Sequence, residues 1–156
     1  MWVYQHNDKG MPNSEDDPLE VVKDNADAFA WNNLQKYRET ADHVSKSRII
    51  VWEGYLNIPE EGTYTFSGKV NENSQGLVNI LIMDKKLLVV SSYSRSQVPV
   101  AASKSLTLKA GDYPVKIIMA SDRGTGVVLN FMVWNKKRPL EKIHIGPSRL
   151  ISKVKN

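Results

Sequence analysis

The sequence predicts an all-β chain folded as an antiparallel β-sandwich, preceded by a short N-terminal arm or helix. Three observations carry this expectation. From residue 49 onward apolar side chains recur at every second position, the alternating stretches are short, and turn residues separate them. Pro59-Glu60-Glu61-Gly62 is the clearest of those turns, because proline fixes one backbone dihedral and glycine frees another.

The N-terminal part follows a different rule. Residues 5–17 are almost all polar or turn-forming, with Gly10, Pro12, Asn13, Asp16 and Asp17 followed by Pro18, which denies either regular period and predicts a loop or extended arm. Between residues 19 and 37, Val22, Ala26, Phe29, Ala30, Leu34 and Tyr37 recur at helix-like spacing. Asp24 or Asn25 is available as a cap, so a short helix is expected there.

After Ser45-Lys46-Ser47 the period becomes two. Ile50, Trp52, Gly54, Leu56 and Ile58 share one face of a half-buried strand, opposite Glu53, Tyr55 and Asn57. Beyond the turn, Tyr64, Phe66, Gly68 and Val70 alternate with Thr63, Thr65, Ser67 and Lys69, and the two strands are expected to form a hairpin. Residues 77–83 are nearly all apolar and predict a central strand. Asp84-Lys85-Lys86 then turns the chain into residues 87–90 as a second hairpin.

A third hairpin is expected around Lys109-Ala110-Gly111-Asp112, between Leu106 and Leu108 on one side and Tyr113, Val115, Ile117 and Met119 on the other. Gly124-Thr125-Gly126 opens a last long strand at 127–135, and residues 139–145 add an edge strand before a basic tail. The organisation read from these signals is an arm or short helix over 1–48 packed on the domain, the sandwich over 49–151, and the tail over 152–156. Trp52, Tyr64, Phe66 and Trp134 fall on strand positions, where most are expected to anchor the core.

Composition narrows the function classes. A chain of 156 residues that is 41% hydrophobic and 24% charged fits one ordinary domain with a continuous core. The net charge of +4 is modest and its basic residues are scattered, apart from Lys136-Lys137-Arg138 and the tail, so no nucleic-acid partner is expected. The absence of cysteine excludes disulfides, a thiol nucleophile and thiolate metal sites. No apolar run is long enough to insert in a membrane as a helix, and Met1-Trp2-Val3-Tyr4 does not open like a secretion signal. A cytosolic protein or an excised module of a larger one fits these facts.

Four segments together resemble the protective-antigen-type (PA-fourteen) domain, a sandwich module of toxins, glycosidases and microbial adhesins. They are the Trp52-Glu53-Gly54-Tyr55-Leu56 strand, the stretch 58–66 around Pro59-Glu60-Glu61-Gly62-Thr63-Tyr64, the segment 106–113 with Lys109-Ala110-Gly111, and the closing strand 129–134. The resemblance covers residues 49–151. It implies a protective-antigen-like sandwich of jelly-roll type and an extracellular or cell-surface setting within a larger protein.

In sugar-binding members of that family an adjacent aspartate pair holds calcium against glycan hydroxyls. This chain departs from the pattern, reading Val70-Asn71-Glu72-Asn73-Ser74-Gln75-Gly76 with one carboxylate. Calcium takes six to eight oxygen ligands, roughly, several of them charged. Glu72 with Asp84 and Asp122 would make a weak metal site, and no cofactor is expected.

Catalysis has little to work with. His6, His43 and His144 are far apart in sequence with no nucleophile context, and Glu60 and Glu61 adjoin at a turn where solvent keeps both ionised. Gly124-Thr125-Gly126 does not precede a helix start, so it is a loop and not a phosphate cradle. Recognition is better served. Asn71, Glu72 and Asn73 supply amides and a carboxylate, Tyr93 and Arg95 an aromatic face and a guanidinium fork, and Asp122 with Arg123 a third polar loop.

The three loops are expected to meet at one end of the sandwich. The first reading is therefore a non-enzymatic module that binds a glycan or host-surface ligand. The second is a structural or interaction module contacting neighbouring domains of its parent protein, and the third an accessory domain of a carbohydrate-active enzyme.

Overall fold

Among the described residues the chain forms eleven strands and, at the C-terminal side, one short 3-10 turn over Pro147–Arg149. The structure, a computed structural model, describes residues 2–5, 20–21, 26–31, 48–93, 95–121 and 126–151. The strands are β1 (Trp2–Gln5), β2 (Glu20–Val21), β3 (Phe29–Trp31), β4 (Arg48–Ile58), β5 (Gly62–Val70) and β6 (Gly76–Ile82). They continue with β7 (Lys85–Ser91), β8 (Ala101–Leu108), β9 (Gly111–Ser121), β10 (Val127–Asn135) and β11 (Ile143–Ile145).

Two antiparallel sheets result. One has six strands in the order β2-β1-β4-β9-β6-β7, and the other runs β11-β10-β5-β8 with β3 also paired to β10. The inward set of β5 is the one alternation assigns, Tyr64, Phe66, Gly68 and Val70. Opposite it, Ile50, Trp52, Leu56 and Ile58 of β4 join Ile117 and Met119 of β9 in one buried cluster. Phe66 and Phe131 stack with centroids 6.3 Å apart, and Phe29 meets Trp52 edge-on at 5.5 Å. The first half of β4 is buried on both faces, since Ile49 and Val51 are 2% and 5% exposed.

Two of the three expected hairpins are not hairpins. β4 pairs with β1 and β9, while β5 pairs with β8 and β10, so the Pro59-to-Glu61 turn carries the chain from one sheet to the other. The Lys109-Ala110 turn does the same between β8 and β9. Alternation cannot tell these cases apart, because strands facing each other across a core show the same inward pattern as strands paired side by side. Of the three, β6 and β7 do form a hairpin, turned at Met83 and Asp84 with φ of 52° and 58°. That mirror-image turn suits strand twist although neither residue is glycine.

The two inter-sheet arches share a device. In Gly62-Thr63-Tyr64 and Gly111-Asp112-Tyr113 the tyrosine hydroxyl donates to a carbonyl four residues back, Glu60 at 2.9 Å and Lys109 at 3.1 Å. Tyr113 Oη also accepts from Lys109 N–H. Each hydroxyl satisfies backbone that the crossing leaves outside any ladder. Tyr64→Phe is expected to lower stability by about 1 kcal/mol in urea melts, and Tyr113→Phe by less, because the latter bond is solvent-exposed.

The expected helix is also corrected. Phe29–Trp31 is a strand paired with Val127–Leu129, and Glu20–Val21 pairs with β1. Phe29 is fully buried, so a tertiary position in the sandwich overrides a local helix-like spacing. Val22, Asp24, Asn25, Leu34 and Tyr37 lie outside the described residues, as does the 5–17 loop apart from Gln5, which ends β1. Of the expected edge strand at 139–145 only Ile143–Ile145 is formed.

Candidate functional site

The end of the sandwich opposite the two arches is built from hydroxyls and amides. Where β5 ends, Asn71 bridges to the start of β10: its Oδ1 accepts from Val128 N–H at 2.8 Å and its Nδ2 donates to the Gly126 carbonyl at 3.3 Å. Ser74, fully buried, donates to the Asn71 carbonyl at 2.8 Å and shares a 2.7 Å hydrogen bond with Ser92. Ser92 Oγ also accepts from Gly76 N–H at 3.2 Å. These bonds fix the 71–75 turn to the loop that follows β7.

Gly76 is needed for that closeness. A Cβ there would stand 2.6 Å from Val127 Cγ2, so only glycine lets β6 begin against the start of β10. The 92–100 segment is held in turn by Tyr93 N–H to Ser91 Oγ at 3.2 Å, Ser96 N–H to the Tyr93 carbonyl at 3.0 Å, and Ser91 N–H to the Pro99 carbonyl at 2.9 Å. Ser121, the last residue of β9, is buried and lies in register with Gly76.

Of the three expected loops, the 71–75 turn and the segment after β7 lie at one end. Glu72, Asn73 and Arg95 are exposed there and Tyr93 is half-buried. Asp122 and Arg123 lie outside the described residues, but Ser121 and Gly126, which flank them, belong to this end. Asn71 is not an exposed contact residue; its side chain is spent on the fold. Asp84 is at the other end, beyond the seven residues of β6, about 20 Å away from Glu72. It lines a shallow groove with Glu53 and Lys116, which pair with each other.

Among the described residues, the side-chain oxygens nearest this turn are already engaged. Glu72 is paired with Lys69 at 3.4 Å, Asn71 Oδ1 holds a backbone N–H, and the Ser74 and Ser92 hydroxyls hold each other. Among the described residues no three His, Asp or Glu side chains gather closely enough to hold a metal ion. Calcium needs several charged oxygens, and this loop offers one carboxylate already matched by an ammonium.

Nor do the described titratable candidates gather in one place. His6 and His43 lie outside the described residues, and His144 is exposed on β11, in register with Met132. Glu60 is an ion-pair partner of Arg138 at 3.2 Å and accepts from Asn135 Nδ2 at 3.3 Å, while Glu61 is exposed at the arch. Beside Glu60 a cleft of about 310 Å³ opens, floored by Leu56, Ile58, Val133 and Ile145 and rimmed by Arg138 and Arg149. Trp52, Tyr64 and Phe66 are core anchors, whereas Trp134 faces outward with Lys142 Nζ 4.9 Å over its ring.

The serine base beneath the loops was not read from the sequence. Ser91-Ser92 directly after an apolar strand and Ser74 just before another were its only signal, and such residues usually mark solvent.

Comparison with known proteins gives a consistent fold. The chain aligns with a β-glucosidase from Kluyveromyces marxianus in complex with glucose at 20% identity and a TM-score of 0.58, over 86% of this chain and 15% of that one. An anti-sigma factor domain-containing protein from Clostridium clariflavum aligns at 16% identity and 0.60, over 97% and 46%. The Epithelial Adhesin 6 A domain from Candida glabrata, in complex with Galb1-3GlcNAc, aligns at 15% and 0.52, over 73% and 54%.

At these identities the likeness shows the fold, and the chain spans from about a seventh to about half the length of these structures. No curated protein matches. The family profile of the PA14 domain matches residues 4–144, so it takes in β4 to β10 with the arches, the loop end and the N-terminal segment, and the chain belongs to the PA14 domain family.

Proposed function

We propose that this chain is a non-enzymatic recognition module that binds a carbohydrate or similar host-surface ligand through the loops at 71–75, 92–97 and 122–125. The setting is extracellular or at the cell surface, within a larger protein. The observation that carries the reading is the serine and asparagine base, which holds Glu72, Asn73, Tyr93 and Arg95 at one end of the sandwich. A rigid base lowers the ordering cost of binding. Amide, carboxylate, phenol and guanidinium groups together suit a polyhydroxylated ligand, offering donors, acceptors and a flat apolar face.

Family membership supports the same reading, because one structural neighbour is an adhesin domain in complex with a disaccharide. Replacing Glu72, Tyr93 and Asp122 together is expected to abolish glycan capture on an array while leaving the melting temperature unchanged. Unchanged capture would remove the loop assignment. A second reading, a structural or interaction module, is favoured by the small share of the neighbouring chains that the domain spans, 15% of the β-glucosidase. The absence of capture from any glycan would support it.

A further inference from the structure

The turn between β10 and β11 gives one apolar side chain almost entirely to solvent. Leu140 is 96% exposed, and it follows Pro139 at the tip of a turn closed by Glu141 N–H donating to the Arg138 carbonyl at 3.0 Å. A solitary exposed leucine is ordinary. This one is held in place. Arg138 N–H donates to the Asn135 carbonyl and Lys137 N–H to Asn135 Oδ1, both at 2.9 Å, while the Arg138 guanidinium pairs with Glu60 at 3.2 Å and Glu141 at 3.6 Å. A fixed turn presents an apolar anchor at little ordering cost.

Beside that turn lies its complement. The cleft of about 310 Å³ at the arch end takes Arg138 and Glu141 of the same turn into its lining, so the protruding leucine and the apolar hollow are neighbours on one surface. A cavity of about 150 Å³ admits benzene, so a leucine side chain fits here. Ile143, 47% exposed, adds an apolar wall. A knob next to a hole meets the condition for a two-fold contact, because a half-turn about an axis between them seats each knob in the other copy's hole.

Charge selects the occupant. The lining carries two cations and two anions, Arg138 and Arg149 against Glu60 and Glu141, and the residues just outside it, Glu61, Lys136 and Lys137, are mixed as well. Two glutamates share Arg138, whereas Arg149 has no ion pair among the described residues. A strongly acidic or basic partner, or an anionic membrane, would meet like charge on this rim; a second copy brings both signs in equal number.

We propose that the arch end is a self-association surface, on which Leu140 of each copy seats in the cleft of the other across a two-fold axis. The contact is small, so the dimer is weak and exchanges readily. The 71–75 turn lies at the far end of β5 from the cleft, so both copies keep it open to ligand.

Sedimentation equilibrium of the full chain from about 5 to about 500 µM tests this, and the average mass should rise towards that of a dimer. Leu140→Asp should weaken association about tenfold or more and leave the melting temperature unchanged, since the side chain is 96% exposed. Ile143→Lys, in the cleft wall, should weaken it as much. An equimolar mixture of the two variants should associate where neither does alone, because the carboxylate introduced in one copy faces the ammonium introduced in the other. A chain that stays monomeric, a dimer that survives Leu140→Asp or Ile143→Lys, or a mixture that stays monomeric would each overturn the proposal.

Discussion

Phe29→Ala is expected to lower the unfolding free energy by about 3–5 kcal/mol, among the largest effects of any single truncation in this chain. Phe29 is 0% exposed, its ring meets Trp52 edge-on at 5.5 Å, and its strand pairs with Val127–Leu129. Removing it deletes an aromatic contact and leaves a cavity between the sheets, which close packing does not refill. Guanidinium melts followed by tryptophan fluorescence would measure the loss. A cost below about 1 kcal/mol would show that the segment before residue 48 is an appendage and not part of the core.

Gly146→Ala is the second. Gly146 is buried between β11 and the 3-10 turn, and a Cβ there would fall 2.3 Å from both the carbonyl carbon and oxygen of Asp27. Those are backbone atoms, so no side-chain rotation relieves the clash. Ser148 adds to the tie, its N–H donating to the Ala26 carbonyl and its hydroxyl to Asp27 Oδ1, both at 2.9 Å. The methyl group must push residues 26–28 away from residues 146–148, at a cost of about 3 kcal/mol. Melts of Phe29→Ala, Gly146→Ala and their combination would show whether the costs add. Because both act through one segment, they are expected to add to less than their sum.

The sequence was most legible where local chemistry and the tertiary role agree. Tyr64, Phe66, Gly68 and Val70 face inward as period two requires, and β10 occupies residues 127–135 as its apolar alternation indicates. Legibility failed where two tertiary arrangements share one local pattern. The Pro59-Glu60-Glu61-Gly62 and Lys109-Ala110-Gly111-Asp112 turns look the same whether the chain returns beside itself or crosses a core. The helix-like spacing of Ala26, Phe29 and Ala30 failed for the opposite reason, because a three-residue strand gives periodicity too little length to register.

The site divides the same way. Loop polarity identified Glu72, Asn73, Tyr93 and Arg95 as candidates, and strand register places them at one end. Sequence spacing could not place Asp84, which shares no end with Glu72, nor reveal that Asn71 is consumed by Val128 and Gly126. The buried serines were invisible because a hydroxyl that braces a loop and one that faces water are written with the same letter.

Metal independence is the claim on which the functional account turns. A glycan array probed with the full chain in calcium and again in excess chelator tests it directly. The same bound glycans with the same intensities are expected in both, since Glu72 is the one carboxylate of the 71–75 turn and is paired with Lys69. Capture that disappears in chelator and returns with calcium would contradict it.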